Sequence, residues 1–139
     1  MTELARTASQ AYLEVAAAHG VDYVFGLPGT SGQEFIGTIA DQEKVRFILA
    51  LHETCVVSMA DGYARVTGKP GVALVVPGPG VQNASAALGT AYAASSPVLL
   101  LAGQVESYNV GSDRGALHEI NDQLDIVRPI TKWCQRVND

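Results

Sequence analysis

The stretch Val72-Ala73-Leu74-Val75-Val76-Pro77-Gly78-Pro79-Gly80 decides the fold class of this chain. Its first five residues are all apolar, which is typical of a central parallel strand with helices above and below it. The Pro-Gly-Pro-Gly run then turns the chain into an Ala-rich segment from Val81 to Ala94, which predicts a helix. A second apolar run, Val98 to Ala102, predicts another central strand.

The same alternation extends to both sides of this stretch. The predicted elements are a helix at 4–16, a strand at 23–25, a helix around 35–39, a strand at 45–51, a helix at 54–66, and, after the central strands, a loop at 111–115, a short helix at 122–127 and an edge strand at 130–134. Strands that alternate with helices predict an α/β fold, an open parallel β-sheet with helices on both faces.

Composition excludes several functional classes. A chain of 139 residues with 47% apolar residues predicts a single domain with a real core. The net charge of −5 and the scattered Lys and Arg argue against nucleic acid as a partner. The apolar runs are far shorter than the ~20 residues that span a membrane, so no membrane partner is expected. The two cysteines form no C-x-x-C pair, which favours the reducing cytoplasm.

The loops after the strands predict a ligand site at one edge of the sheet. They cover residues 26–32, 52–53, 77–83 and 103–106, and open α/β sheets bind ligands where such loops meet. Glu53 follows an apolar strand, so its carboxyl group is expected to be partly shielded from water and suited to proton chemistry. A second interpretation stays open, in which Glu53 only stabilises the start of the next helix by ~0.3–1 kcal/mol.

Other site types have weaker support. Gly78 to Asn83 approximates a dinucleotide fingerprint, but Asn83 replaces the third glycine and no acidic residue ends the next strand. The three histidines lack the spacing of metal ligands, so no metal site is predicted. Gln104 adds a neutral donor and acceptor after the last clear strand.

Three segments carry a resemblance to a known family: Val24 to Gly29, Leu51 to Glu53 and Met59 to Val72. They resemble thiamine diphosphate-dependent enzymes, and the most similar group is the acetohydroxyacid synthase and 2-oxo acid decarboxylase/carboligase branch. The match continues through Gly78-Pro79-Gly80 and Leu101 to Val105, and it covers nearly the whole chain. It corresponds to the N-terminal, pyrimidine-binding domain of those enzymes, here residues 1–139.

The resemblance implies roles for individual residues. In the family, the glutamate that matches Glu53 hydrogen-bonds N1′ of the cofactor's aminopyrimidine and so promotes loss of the thiazolium C2 proton. The same match places these residues near the cofactor or the substrate: Pro28, Gly29, Pro79 and Asn83 by the cofactor, Gln104 and His118 by the substrate.

The chain also departs from the family pattern. Leu27 stands in place of an aromatic residue, Cys55-Val56-Val57 are bulkier than usual, and His118 replaces a glutamine. These differences leave the cofactor prediction unchanged and do not fix the 2-oxo acid.

The G-D-G motif that marks the diphosphate-binding domain of the family does not occur in the chain. The diphosphate and its magnesium are therefore expected on a partner domain, in a longer chain or another subunit, and this domain alone is expected to be inactive. A homo-oligomer is predicted. Two alternatives remain: a non-catalytic module that self-associates through the Ala-rich and Met59 to Arg65 helices, and a dinucleotide-binding domain.

Overall fold

The computed structural model describes residues 6–138. Its helices and strands are, in chain order, α1 (Ala8–Ala18), β1 (Tyr23–Gly26), α2 (Gln33–Ala40), β2 (Arg46–Leu49), α3 (Glu53–Thr67), β3 (Gly71–Val75), α4 (Pro79–Ala93), β4 (Val98–Ala102) and α5 (Gln123–Val127), with short 3-10 helices at Thr30–Gly32 and Arg128–Ile130. Leu4, in the predicted first helix, lies outside the described residues. No helix within residues 6–138 is long and apolar enough to cross a membrane.

The strands form one parallel sheet in the order β2-β1-β3-β4. Every residue of β3 is buried, as predicted for a central strand. β4 was also predicted to be central, and this prediction is wrong for the described part of the chain. β4 pairs only with β3 there, and its burial is partial, with Leu99 39% exposed.

Helices cover both faces of the sheet. On one face, Val72 and Leu74 of β3 pack with Leu13 of α1 and Ile39 of α2. On the other face, Ala73 and Val75 pack with buried residues of α3 and α4, among them Val56, Val57, Val81 and Ala84. This alternation along β3 confirms the predicted α/β fold, because successive strand residues point to opposite faces.

The two central helices begin slightly earlier than predicted. α3 starts at Glu53 instead of Thr54, and α4 starts at Pro79 instead of Val81. Proline suits the first turn of a helix, since the N–H it lacks has no partner within the helix there. Both shifts move predicted site residues into the first turns of helices.

The predicted edge strand at 130–134 is wrong. Residues Arg128–Ile130 form a 3-10 helix, and no strand follows in residues 131–138. Pro129 has no N–H to give to a sheet, and the Thr131 hydroxyl donates to the Val127 carbonyl at 2.8 Å. Ile130 packs beside Gly89 of α4, so the segment covers that helix instead of extending the sheet.

Candidate functional site

The loops after the four strands meet as predicted, and we call this region the carboxyl edge (residues 26–32, 50–53, 76–83 and 103–106). The Gly103 N–H donates to the Val75 carbonyl at 3.2 Å. A Cβ on Gly103 would lie 2.5 Å from Ser31 Oγ and 3.2 Å from Pro77 Cδ. A Cβ on Gly29 would lie 2.2 Å from Val76 Cγ1. The loops are packed so closely that a side chain at either position would force its neighbours to move.

Glu53 is the first residue of α3, and its side chain is only 7% exposed. β2 ends at Leu49, so an exposed Leu51 and His52 separate the strand from the carboxyl group. His52 caps the helix, because its Nδ1 accepts from the Thr54 N–H at 3.2 Å. The site is therefore built on a helix end, which fixes the position of Glu53 more firmly than a loop would.

Glu53 and Asn83 form the centre of the site. Asn83 Nδ2 donates to Glu53 Oε2 at 3.1 Å. The Thr54 hydroxyl donates to the Asn83 carbonyl at 2.7 Å, so two bonds join the first turn of α3 to the second turn of α4. Sequence reasoning missed Thr54, because a hydroxyl in a helix start carries no signal of a partner on another helix.

The second oxygen of Glu53 lies beside Gly80. A Cβ on Gly80 would stand 3.4 Å from Glu53 Oε1 and 2.7 Å from Val76 Cγ2. Among residues 6–138, no Lys or Arg forms an ion pair with Glu53. A buried carboxylate without a cation is costly unless it gains hydrogen bonds or a proton. The geometry thus suits a carboxyl group that shares a proton with a ligand nitrogen.

The turn from Pro77 to Gly80 leads into α4. Gly78 adopts φ +59°, and a Cβ there would lie 2.2 Å from the His118 carbonyl oxygen, so only glycine fits. Pro79 has no N–H, and the Gly80 N–H already donates to the Pro77 carbonyl at 3.3 Å. A dinucleotide site needs free N–H donors at this helix start, so the geometry disfavours that alternative.

The remaining predicted residues lie around this centre. Pro28 and Pro79 are exposed, and Gly29 and His118 are partly buried. Gln104 turns back on its own loop, where its Oε1 accepts from the Val105 N–H at 2.9 Å. The structure brings Glu53 and Asn83 into direct contact, places the others at the same edge, and joins His118 to the site through Gly78.

Glu119 shapes the loop that carries His118. Its Oε2 accepts from the Ala116 N–H at 2.8 Å and from the Arg114 N–H at 3.0 Å. These backbone hydrogen bonds, that of Ala116 above all, hold the pKa of Glu119 below its usual value. His118 itself has φ +67°, an unusual conformation for a residue with a side chain.

Gln123 is the other residue that sequence reasoning missed. It is buried on α5, where its Oε1 accepts from the Gly78 N–H at 3.3 Å and its Nε2 donates to the Gly103 carbonyl at 2.8 Å. The sequence predicted the short helix, but it gave no signal that a glutamine would point inward.

Within residues 6–138, no three His, Cys, Asp or Glu side chains come close enough together to hold a metal ion. Cys55 and Cys134 are both free thiols.

Known proteins match the chain over most of its length. The family model described as "Thiamine pyrophosphate enzyme, N-terminal TPP binding domain" matches residues 6–126. A Pseudomonas aeruginosa protein named "Probable 2-ketoarginine decarboxylase" is 45% identical over 91% of the chain and 22% of its own length. The acetolactate synthase large subunit of Haemophilus influenzae is 46% identical over 81% of the chain and 19% of its own length.

A eukaryotic relative agrees with these two. The mitochondrial acetolactate synthase catalytic subunit of Saccharomyces cerevisiae is 39% identical over 91% of the chain and 18% of its own length. The chain thus spans about a fifth of the length of the curated relatives it matches. Given the family match and the parallel α/β sheet, the chain belongs to the family of N-terminal TPP-binding domains of thiamine pyrophosphate enzymes.

Proposed function

We propose that this chain is the pyrimidine-binding half of a thiamine diphosphate-dependent enzyme that decarboxylates or ligates 2-oxo acids. The observation that carries the proposal is the buried carboxyl group of Glu53, with one oxygen bonded to Asn83 and the other beside Gly80. The hydrogen bond from Asn83 fixes the Glu53 side chain through Oε2. The other oxygen, Oε1, lies beside Gly80, which has no side chain. Glu53 is the catalytic residue in this proposal.

The residues of the chain fit the aminopyrimidine end of the cofactor. The carboxyl group of Glu53 would hydrogen-bond ring nitrogen N1′, as the family resemblance implies. Pro28, Gly29 and Pro79 would border the ring, and Asn83 would keep Glu53 in place and contact the pyrimidine region. When bound, thiamine diphosphate supplies the electron sink for the carbon chemistry, and the protein supplies position and electrostatics.

Gln104 and His118 are proposed to face the substrate. Gln104 directly follows Gly103, and the His118 carbonyl lies beside Gly78 in the turn from Pro77 to Gly80. One relative is named for 2-ketoarginine, a 2-oxo acid, and others for acetolactate. These names support a 2-oxo acid as the substrate class.

The partner is proposed to be a diphosphate-binding domain, in a longer chain or a second subunit, that holds the diphosphate and magnesium. The matched part of the chain covers only about a fifth of each relative's length, which supports this division of labour. α3 and α4 also expose apolar side chains, Met59 at 36%, Val66 at 87% and Tyr92 at 52%, which supports a homo-oligomer. The two free thiols are consistent with the cytoplasm.

The test mixes the chain with a separately expressed diphosphate-binding domain, thiamine diphosphate and Mg²⁺, and measures CO₂ release from 2-oxo acids. We expect activity only on mixing, and we expect Glu53→Gln to reduce it by about 10²–10⁴-fold. Glu43→Gln is the matched control, because it removes the same charge from an exposed site between α2 and β2.

Two outcomes contradict the proposal. Full activity of Glu53→Gln would remove Glu53 from the chemistry. Stable self-association without any gain on mixing would favour the non-catalytic module, for which the exposed side chains of α3 and α4 are the supporting observation.

A further inference from the structure

We propose that Gln123 is a positioning residue, which locks the Pro77–Gly80 turn against the Gly103 loop and so sets where the cofactor's pyrimidine sits. The functional part of this inference rests on the proposed function. Gln123 lies on α5, outside every segment that the resemblance connects with the cofactor. It is one of three polar or charged residues buried in residues 6–138, with Glu53 and Asp61.

The two partners of Gln123 fix the orientation of its amide. Gly103 offers a carbonyl oxygen, which requires the Nε2 donor at 2.8 Å. Gly78 offers an N–H, which requires the Oε1 acceptor at 3.3 Å. Because one partner only accepts and the other only donates, the reversed amide would lose both bonds. One side chain therefore joins two loops that are 25 residues apart in the sequence, at positions 78 and 103.

Gly78 depends on this contact. Its φ of +59° and the His118 carbonyl, 2.2 Å from where a Cβ would be, confine it on one side. Its N–H is buried and finds its acceptor in Gln123. A buried N–H that loses its acceptor is costly, so the turn would move to find another partner or water.

Movement of the turn would reach the cofactor site directly. Gly80, two residues after Gly78, borders Glu53 Oε1, and Asn83 follows one helical turn later with its bond to Glu53 Oε2. Gly103, the other partner of Gln123, precedes Gln104. Gln123 thus fixes the positions of the residues around Glu53 without touching its carboxyl group or proton.

Three variants separate this role from a general effect on stability. Gln123→Met keeps the volume and removes both bonds. Gln123→Glu keeps an acceptor for Gly78 and removes the donor to Gly103. Gln42→Met is the matched control: Gln42 makes four backbone hydrogen bonds, to or from Ile39, Lys44 and Val45, at the opposite end of the sheet.

The first measurement is backbone hydrogen exchange of the chain itself, followed by NMR. In Gln123→Met we expect the Gly78 N–H to exchange about tenfold faster, as the loss of one hydrogen bond implies. Gln123→Glu should keep most of that protection, and Gln42→Met should leave Gly78 unchanged. Unchanged exchange at Gly78 in Gln123→Met overturns the inference, whatever the enzyme does.

The second measurement uses the chain mixed with the diphosphate-binding domain. We expect Gln123→Met to raise the KM for thiamine diphosphate about tenfold while kcat at saturating cofactor stays within about twofold. Gln42→Met should lower the melting temperature without changing that KM. An unchanged KM in Gln123→Met overturns the functional part of the inference. An inactive wild-type mixture would instead contradict the proposed function, and the exchange measurement would still test the structural role of Gln123.

Discussion

The two ends of the sheet hold their carboxylates in different ways. At the amino end, Asp22 accepts from Lys69 Nζ at 2.6 Å and from the Tyr63 hydroxyl at 2.7 Å. Also there, Asp61 forms a two-bond pair with Arg65 at 2.9 and 2.8 Å. At the carboxyl edge, Glu53 is bonded by the neutral amide of Asn83.

This difference is one basis of the proposal that Glu53 takes part in chemistry while Asp22 and Asp61 are structural. The hydrogen bond from Lys69 holds the pKa of Asp22 below its usual value, and the Arg65 guanidinium does the same for the pKa of Asp61. Both groups are thereby fixed as anions. Glu53 has no such cation in residues 6–138, and in the proposed function a ligand nitrogen becomes its proton partner.

The largest effect is expected from a substitution that fills the space beside Glu53. Gly80→Ala would push a methyl group to 2.7 Å from Val76 Cγ2, and we expect a loss of about 1–3 kcal/mol of unfolding free energy, with loss of cofactor binding. Gly62→Ala is the control, because a Cβ there meets nothing within 4 Å. It should gain about 0.5–1 kcal/mol through helix propensity. Urea unfolding checks both values, and equal gains in the two variants would contradict the close packing.

The second prediction removes the ion pair at the amino end. Asp61→Asn takes the charge partner from Arg65, so we expect the melting temperature to fall by about 2–5 °C. Activity of the mixed enzyme should remain, in contrast to Glu53→Gln. A loss of activity as large as that of Glu53→Gln would erase the distinction between the two ends.

The third prediction concerns pH. Asp22, Asp61 and Glu119 have lowered pKa values in the folded chain, so each binds its proton more readily when the chain is unfolded. Their stabilisation is complete above the ordinary values of 3.8 and 4.5 and is lost as the pH falls through the lowered ones. Denaturant unfolding from pH 7 down to pH 2 should show this loss, with a shallower slope in Asp61→Asn. Stability that rises on acidification would contradict it.

For the cations at the amino end, stability depends on pH in the opposite direction. The hydrogen bond to Asp22 raises the pKa of Lys69 above its ordinary 10.5. Its stabilisation is therefore complete below pH 10.5 and is lost only as the pH rises through the raised value. Between about pH 5 and 9 the ion pairs of the amino end should be insensitive to pH.

The smallest effect is expected from Tyr12, which packs on Phe35 with ring centroids 5.2 Å apart. Its hydroxyl is buried without a partner among residues 6–138, and burial raises its pKa to about 12. Tyr12→Phe should change stability by about 0 to +1 kcal/mol, because it removes an unsatisfied polar group. Tyr63→Phe, which loses the bond to Asp22, should instead cost about 1 kcal/mol. Thermal unfolding distinguishes the two, and a clear loss in Tyr12→Phe would contradict the prediction.

Short sequence patterns were enough to predict much of the fold. The apolar run at Val72 to Val76 and the Pro-Gly turn after it are signals within a few residues, and both the buried strand and the helix after it are confirmed. The family resemblance, carried by motifs in the right order, is confirmed by the family match. The residue roles at Glu53, Asn83 and the other site positions stay predictions.

Features that depend on distant residues could not be predicted. Periodicity shows that Val98 to Ala102 is a strand, but its edge position depends on which strands pair with it. Ile130 is apolar because it packs on α4, and a pattern alone cannot separate that from a strand. In the sequence, Gln123 is an ordinary polar residue of a short helix. Its hydrogen bonds to Gly78 and Gly103 become visible only in the folded chain.

The bond between Thr54 and Asn83 has a consequence for the order of folding. It joins residues 29 positions apart, and the whole of β3 lies between them. Contacts of such long sequence separation form only after the intervening chain has found its place, since closing the loop costs entropy first. The β1–β3 pairing of the sheet joins Val24 and Val72, residues even farther apart, so we expect the surroundings of Glu53 to be assembled together with the sheet and not in isolated segments of the chain.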